Sequence, residues 1–328
     1  MAQPLLQRVL RRVALCGVAF ILAPVSAQAA FPERPITIVV PSAAGGTPDT
    51  LIRFLAQKAQ ERYQQSFVVD NRPGGSGIPG ISAVYRAKPD GYTVGYANNV
   101  TLAINRSAFK ELPYDPQALV PVAYVLKVAN VLAVNPSLPV KTLDEFLAYA
   151  KNNPGKVTFA SPGAGTSGHL TGELLASSSG VELLHVPYRG SPQATTDVIA
   201  GTVDALFDNT TSISPHIRSG KLRALAVTSL ERSPNFPDLP TVAENKLPGF
   251  EGVAWGGIVA PPGTPPEVVQ VLTKMFNDLL EDPAIRDQLL KMGMDEVMGG
   301  PPQAMADYAE KETAKWGKVI KDAGIDVK

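Results

Sequence analysis

Runs of hydrophobic residues with strand-like and helix-like spacing alternate along most of the chain. Residues 36–40 form a β-branched run that stops at Pro41, and the apolar positions of residues 49–63 then recur at helical spacing. This alternation predicts an α/β fold with mainly parallel sheets. The predicted strands are 36–40, 67–69, 92–97, 157–160, 183–186, 203–207 and 222–227, and the predicted helices are 49–63, 78–87, 169–177 and 195–200.

Two further apolar runs, residues 122–134 and 252–259, lie between and after these groups. We interpret both as strands that cross between two lobes. This predicts a discontinuous first lobe of residues 31–130 plus 254–328 and an inserted second lobe of residues 131–253. Two consecutive domains are the alternative arrangement. Residues 266–323 predict amphipathic helices, broken at Asp282-Pro283 and at residues 299–302.

The first thirty residues have the pattern of a signal peptide. Three arginines precede the apolar run 13–22, and small residues follow at 27–29. The run is shorter than the roughly 20 residues that a bilayer-spanning helix needs. We therefore predict export to the periplasm with cleavage near Ala29 or Ala30. A buried N-terminal helix is the alternative.

Removal of this leader changes the composition of the predicted mature chain. Cys16 is the only cysteine, so no disulfide or thiolate nucleophile would remain after cleavage. The leader also takes three arginines from a balance of 30 Lys+Arg against 30 Asp+Glu, which leaves a net charge of −3. Such a balance argues against nucleic acid or an anionic membrane surface as a partner.

Two predicted strands each end in a loop of small residues that runs directly into a helix. The first loop spans residues 41–49, where Thr47 suits an N-cap and Pro48 the first helical position. The second spans residues 161–169. Small side chains leave backbone N–H groups bare, and a helix N-terminus favours negative charge. If the lobes face one another, the two loops together predict a binding site for a small mono- or dicarboxylate. The alternative is that each loop is only a tight turn.

Several catalytic or nucleotide-binding interpretations are weaker. Gly163-x-Gly165-x-x-Gly168 matches a dinucleotide fingerprint, but the following strand does not end in the required acid. Ser167, His169 and Asp208 suggest a triad, yet an i, i+2 spacing points the first two side chains apart on a helix. His169 therefore remains open between ligand contact and helix support.

Other polar residues keep two interpretations each. Asp49 suits capping of its helix, or contact with an amine-bearing ligand. Asp208 ends a predicted strand, and Asn98 with Asn99 follows another, so each suits either a turn or the cleft. Arg189 could fork onto a carboxylate or form a surface salt bridge.

The motifs named so far resemble those of one family. They include Pro41-x-x-x-Gly45-Gly46-x-x-Asp49, Gly163-x-Gly165-Thr166-Ser167-x-His169 and Val186-Pro187-Tyr188-Arg189-Gly190, and they are joined by Trp255-Gly256-Gly257. Together they resemble the Bug family, the extracytoplasmic solute-binding receptors of tripartite tricarboxylate transporters. The likeness covers essentially the whole predicted mature chain. One departure is Pro48, where the family commonly has Thr or Ser.

The resemblance implies a two-lobed periplasmic-binding-protein fold, type II-like, with the ligand in the interlobe cleft. In that family, backbone amides and ordered waters hold the carboxylate. Asn98 and Asp208 are carried over as flanking candidates. The ligand-binding residues so implied are Ser42, Ala43, Ala44, Gly45, Gly46, Thr47, Asp49, Asn98, Gly163, Ala164, Gly165, Thr166, Ser167, His169 and Asp208.

The implied function is capture of a small carboxylate for uptake by a tripartite tricarboxylate transporter. The candidate ligands are a dicarboxylate, a tricarboxylate, an acidic amino acid or an aromatic acid. Membrane permease subunits are the implied partners, a monomer is expected, and no catalytic residue, metal or cofactor is predicted. The alternatives are an orphan ligand sensor for a signalling system and an exported hydrolase.

Overall fold

The computed structural model describes residues 31–245 and 247–324. The predicted signal peptide, residues 1–30, lies outside these described residues. Every element named below lies in the compact unit Arg34–Lys328. None of the helices in the described ranges is long and apolar enough to cross a membrane.

Ten strands and eleven α-helices follow one another along the described chain. The strands are β1 (Ile36–Val40), β2 (Phe67–Asn71), β3 (Thr93–Asn98), β4 (Val120–Val134), β5 (Thr158–Ser161), β6 (Leu184–Pro187), β7 (Ala205–Asn209), β8 (Arg223–Val227), β9 (Val253–Ala260) and β10 (Glu296–Val297). The helices are α1 (Thr47–Tyr63), α2 (Ile78–Tyr85), α3 (Asn105–Ala108), α4 (Leu143–Asn152), α5 (Ser167–Ser179), α6 (Ser191–Ile199), α7 (Thr210–Arg218), α8 (Val242–Asn245), α9 (Pro266–Leu280), α10 (Pro283–Lys291) and α11 (Gln303–Ala323). A 3-10 turn, Gly75–Gly77, precedes α2, and a π-helical turn, Val100–Ile104, precedes α3.

The strands form a mixed sheet in the order β2-β1-β3-β9-β4-β7-β5-β6, and β8 and β10 also pair with β4. β1 runs parallel to β2 and β3, and β5 runs parallel to β6 and β7. All pairings of β4 and the pairing of β3 with β9 are antiparallel. The prediction of mainly parallel sheets was therefore wrong. Helical crossovers make neighbouring strands parallel, whereas β4 and β9 enter the sheet in the opposite direction.

β4 joins two groups of strands. Its residues Val120–Ala129 pair with β9, and its residues Asn130–Val134 pair with β7. We call β1, β2, β3, β9 and β10 the first strand group and β5 to β8 the second strand group. Of the two strands predicted to cross, β4 pairs with both groups, whereas β9 pairs only with β3 and β4. The assignment of residues to lobes stays a prediction.

A buried network of hydrogen bonds lies where β4 changes its partner strand. Asn130 donates its backbone N–H to Thr228 Oγ1 over 3.0 Å and its amide Nδ2 to the carbonyl of Gly252 over 2.8 Å. Thr228 Oγ1 also donates to the Gly252 carbonyl over 2.7 Å. These bonds join β4, the end of β8 and the start of β9, so they hold the meeting point of the two groups.

Each strand group has its own hydrophobic core. Phe146, Phe159 and Phe207 are buried in the second group. In the first group, Trp255 packs edge-on against Tyr124. Glu312 of α11 accepts the indole N–H groups of both Trp255 and Trp316, so α11 is anchored to β9 by a buried carboxylate.

Candidate functional site

A cavity of about 980 Å³ lies between the two strand groups. It is bordered by the loops that follow β1 and β5, the two glycine-rich loops of the sequence, and by residues of β4 and β9. Of the predicted ligand-binding residues, those that line it are Ser42, Ala43, Ala44, Gly46, Thr47, Asn98, Gly163, Ala164, Thr166 and Ser167. Those that do not line it are Gly45, Asp49, Gly165, His169 and Asp208.

The first loop is held by the side chain of Asp49. Gly45 adopts a φ of +82°, a backbone conformation that favours glycine, and donates its N–H to Asp49 Oδ2 over 2.8 Å. Asp49 Oδ1 forms an ion pair with Arg53 Nε at 2.9 Å. Burial by itself would raise the pKa of Asp49, but the Gly45 N–H and Arg53 outweigh it, so the pKa lies below its ordinary value. Asp49 is thus a buried support for the loop.

The N-cap of α1 lies one residue earlier than the sequence predicted. Gly46, with extended backbone angles, is the N-cap, and Thr47 is the first helical residue. The Thr47 hydroxyl does not cap the helix; it contacts Thr211 Oγ1 of α7 at 2.5 Å. The prediction of Thr47 as N-cap was wrong, because a hydroxyl from a distant part of the chain competes for its side chain.

The second loop uses the same arrangement with a different side chain. Thr166 is the N-cap of α5, and its hydroxyl accepts the N–H of His169. Gly165, with a φ of +74°, donates its N–H to His169 Nδ1 over 3.0 Å. The two loops are therefore built alike. In each, the side chain of the third helical residue (Asp49 or His169) turns towards the loop and accepts the backbone N–H of the glycine that precedes the N-cap (Gly45 or Gly165).

This support leaves the preceding backbone N–H groups available. Ala44 and Ala164 occupy matching positions before Gly45 and Gly165, and both line the cavity. No acceptor among the described residues takes their backbone N–H groups. Two unpaired donors at two helix N-termini that border one cavity can receive an anion.

His169 is stacked on His185 beneath the second loop. Their ring centroids lie 3.8 Å apart, with an angle of 13° between the planes. His185 Nε2 lies 2.6 Å from Ser161 Oγ. Burial, followed by the neighbouring His169, lowers the pKa of His185 to about 3, so this ring is neutral at ordinary pH. The stacked rings of His169 and His185 therefore support the second loop through their contacts with Gly165 and Ser161.

Asp208 is buried beside the cavity, with 1% of its surface exposed. Its Oδ1 accepts the N–H of Asn209 over 2.7 Å, and its Oδ2 has no hydrogen-bond partner. Burial raises the pKa of this carboxyl to about 7, although the Ser191 side chain and the Asn209 N–H partly oppose the shift. Asn209, not Asp208, lines the cavity.

Asn98 and Asn99 lie at the end of β3. Asn98 Oδ1 accepts the N–H of Thr101 over 3.1 Å and so closes the turn that follows, while the residue also borders the cavity. Asn99 is 2% exposed, and its amide Nδ2 has no hydrogen-bond partner. Asn98 therefore closes a turn at the edge of the cavity, and its contact with a ligand stays a prediction.

Sequence reasoning missed three parts of the cavity wall. The segment Gly74–Gly77 is a third loop of small residues, and the segment Tyr188–Gln193 leads into α6. The segment Gly74–Gly77 has the small-residue signal that marked the other two loops, whereas in the segment Tyr188–Gln193 the sequence had singled out only Arg189. The third part is formed by Leu126, Val128 and Trp255 of β4 and β9, which gave no local signal, because a buried strand residue looks alike whether it faces a core or a cavity.

The side chains of Ser167, His169 and Asp208 do not form a catalytic triad. Ser167 Oγ donates to Asn130 Oδ1, His169 accepts from Gly165, and Asp208 accepts from Asn209. Within the ranges that the structure describes, no three His, Cys, Asp or Glu side chains are grouped to hold a metal ion.

The sequence matches a known family and several of its relatives. The family described as "Tripartite tricarboxylate transporter family receptor" matches residues 51–325. A UPF0065 protein in the tcbD-tcbE intergenic region of Pseudomonas sp. (strain P51) is 41% identical over 97% of this chain and 96% of its own length. Protein BugT of Bordetella pertussis is 36% identical over 96% of each chain.

Solved structures give the same likeness. R. palustris Rpa4515 with adipate has a TM-score of 0.85 and 38% identity, covering 90% of this chain and 99% of its own. MatC from Rhodopseudomonas palustris with bound malate has a TM-score of 0.80 and 30% identity, covering 88% of this chain and 100% of its own.

Proposed function

The chain belongs to the tripartite tricarboxylate transporter receptor family, and from this premise we propose that it captures a small carboxylate in the cavity between its strand groups. We propose further that it delivers this ligand to the membrane subunits of such a transporter. It would work in the periplasm after loss of its leader near Ala29 or Ala30.

The observation that carries the proposal is the pair of matching loops. Ala44 and Ala164 each have an unpaired backbone N–H two residues before the N-cap of a helix, and both residues line the same cavity. A helix N-terminus carries partial positive charge, which favours a carboxylate there. The ligands in the two related structures, adipate and malate, are carboxylates and agree with this chemistry.

Binding can be tested by titration calorimetry against adipate, malate, citrate, glutamate and benzoate. We expect at least one acid to bind with a Kd in the micromolar range or below. If none binds, the proposal of carboxylate capture is wrong.

A matched pair of glycine variants tests the role of the second loop. Gly165 and Gly180 both have left-handed backbones, with φ of +74° and +65°. Alanine at either position costs about 1–2 kcal/mol of backbone strain. We expect Gly165→Ala to weaken binding about tenfold or more, because it displaces the loop. Gly180→Ala, at the far end of α5, should lower Tm without changing Kd. Equal Kd values for both variants would contradict the proposed site.

Delivery to a transporter needs a separate test in cells. A strain that lacks this chain should lose uptake of the identified acid, and the intact gene should restore it. Unchanged uptake in the deletion strain would contradict the transport role while leaving ligand capture intact.

A further inference from the structure

Residues 293–295, which lie between α10 and β10, are at the boundary between the two strand groups. We call them the bridging segment. None of them lines the cavity. β10 pairs with Leu126 and Lys127, in the part of β4 that pairs with β9. The bridging segment is therefore attached to the first strand group, and its contacts with the second strand group link the two.

The carboxylate of Asp295 lies at the point where β4 changes its partner strand. Its Oδ2 accepts the backbone N–H of Ala129, the last residue of β4 that pairs with β9, over 2.6 Å. Thr210 Oγ1, in the first residue of α7, lies 2.9 Å from Asp295 Oδ2 and 2.9 Å from the carbonyl oxygen of Gly293. Its hydroxyl therefore donates to one of two acceptors, both in the bridging segment. Hydrogen bonds to an ionised carboxylate are among the stronger ones in proteins.

The loop that follows β8 is fastened to the same segment. Ser233, which is 1% exposed, donates its hydroxyl to Asp295 Oδ1. Asn235 donates its backbone N–H to Ser233 Oγ over 3.1 Å and its amide Nδ2 to the carbonyl of Met294 over 3.1 Å. Two separate parts of the second strand group, the start of α7 and this loop, thus bond to three consecutive residues of the first.

Gly293 allows the backbones to approach closely. Its φ is +97°, and a Cβ placed on it would lie 2.9 Å from Cα and 3.2 Å from the backbone N of Thr211. A backbone cannot turn aside as a side chain can, so any larger residue here would push α7 away. Thr211 is also the residue whose hydroxyl contacts Thr47 of α1. The start of α7 is therefore held by the first strand group in two places.

From the shared carboxylate of Asp295 and the close approach at Gly293, we propose that the bridging segment is a hinge stop. It keeps the second strand group against the first where β4 changes partner, and so restricts their relative motion to rotation about this point. Bonds beside the axis change little in length during such a rotation, whereas a sliding displacement breaks them. Gly293 and Asp295 are positioning residues, which align the two glycine loops through α7. This inference goes beyond ligand capture and is independent of the acid that is bound.

The distance between the strand groups can be measured with two spin labels. Gln60 on α1 and Lys151 on α4 are exposed, one in each group, and the substitutions Gln60→Cys and Lys151→Cys provide the attachment sites. The sole natural cysteine, Cys16, lies in the predicted leader. Pulsed electron paramagnetic resonance then gives the distribution of label-to-label distances in the ligand-free protein.

A matched pair of glycine variants tests the close approach. Gly293→Ala should widen this distribution and shift it, because the new Cβ meets the backbone of Thr211. Gly299 has nearly the same φ, +94°, but its nearest neighbour would be Leu280 Cβ at 3.7 Å, an ordinary contact. Gly299→Ala therefore brings the same backbone strain and should leave the distribution unchanged. An unchanged distribution for Gly293→Ala, or an equal change in both variants, overturns the hinge stop.

Asp295→Ala tests the carboxylate in the same way. It should widen the distance distribution, whereas Asp287→Ala, which removes an exposed carboxylate that pairs with Lys291 within α10, should not. Ser233→Ala keeps the carboxylate but removes one donor, so a smaller widening is expected even if Asp295→Ala does not fold. A lower Tm with the distribution of the parent protein, in either variant, shows a purely structural role and overturns the inference. Ligand binding enters neither experiment, so such a result leaves the proposed function standing.

Discussion

Asp208 is a carboxyl group whose surroundings oppose its ionisation. Its Oδ2 is buried without a partner, and burial raises its pKa from 3.8 to about 7. The folded chain thus holds a proton that the unfolded chain has already released. The stability that this proton supplies is complete below about pH 4 and is lost as the pH rises to about 7.

Asp208→Asn should remove this pH dependence. Asn keeps an oxygen for the N–H of Asn209 but never ionises. The free energy of unfolding of the variant, relative to the parent protein, should rise by up to about 1.4 kcal/mol per pH unit between about pH 4 and 7. Urea unfolding at several pH values measures this difference, with the exposed Asp238→Asn as control. A difference that does not change with pH would show that Asp208 titrates normally.

The side chains of Asp49 and His169 point towards their own loops and not towards the cavity. Each accepts the N–H of the glycine before the N-cap, so each faces its own loop and turns away from the cavity. Their loops, and not their side chains, face the cavity. A direct role for them in ligand contact stays a prediction.

At the level of single elements, β4 carries the connection between the strand groups. Its backbone changes partner between Ala129 and Asn130. A backbone that leaves one partner for another exposes polar groups, and buried polar groups must be paired. Thr228 and the amide of Asn130 supply these partners.

Thr228→Val tests the importance of this junction. Valine has a similar shape, but it leaves the Asn130 N–H without its acceptor and removes one donor from Gly252. We expect a loss of about 1–3 kcal/mol in the free energy of unfolding, measured by urea denaturation. Thr50→Val, at an exposed position of α1, is the control. Equal stability of both variants would contradict a structural role for the Thr228 hydroxyl.

In the whole molecule, hydroxyl contacts link the two strand groups directly at the cavity. Thr47 at the start of α1 contacts Thr211 and Ser212 of α7 at 2.5 Å and 3.3 Å. α1 follows the first strand of one group, and α7 follows β7 of the other. The contact therefore favours a conformation in which the two glycine loops border the same cavity.

Loss of this contact should weaken binding without loss of the fold. Thr211→Val removes one hydroxyl, and a hydrogen bond contributes about 0.5–1.5 kcal/mol net. The apparent Kd for the identified acid should therefore rise up to about tenfold, because fewer molecules hold the competent conformation. Thr211→Ser keeps the hydroxyl and should bind as the parent protein does. Unchanged binding by Thr211→Val would show that the contact does not control the cleft.

The family that the loop motifs indicated is confirmed, as is the two-lobed α/β fold. The family came from a resemblance of motifs, whereas local pattern was sufficient for the strands and loops, because a strand, a small-residue loop and a helix are each specified by neighbouring residues. The regions 36–40 and 222–227 were predicted to within one residue of β1 and β8. α4 and α7 were not predicted.

The direction of side chains and the pairing of strands depend on contacts between residues far apart in the chain. Thr47 leaves its expected capping position for Thr211, which lies 164 residues away. β4 and β9 turn an expected parallel sheet into a mixed one. The loops that mark the site are local features of the sequence. The complete wall of the cavity is assembled only when β4, β9 and the segment after β6 are brought together, because distant residues are placed by packing and not by periodicity.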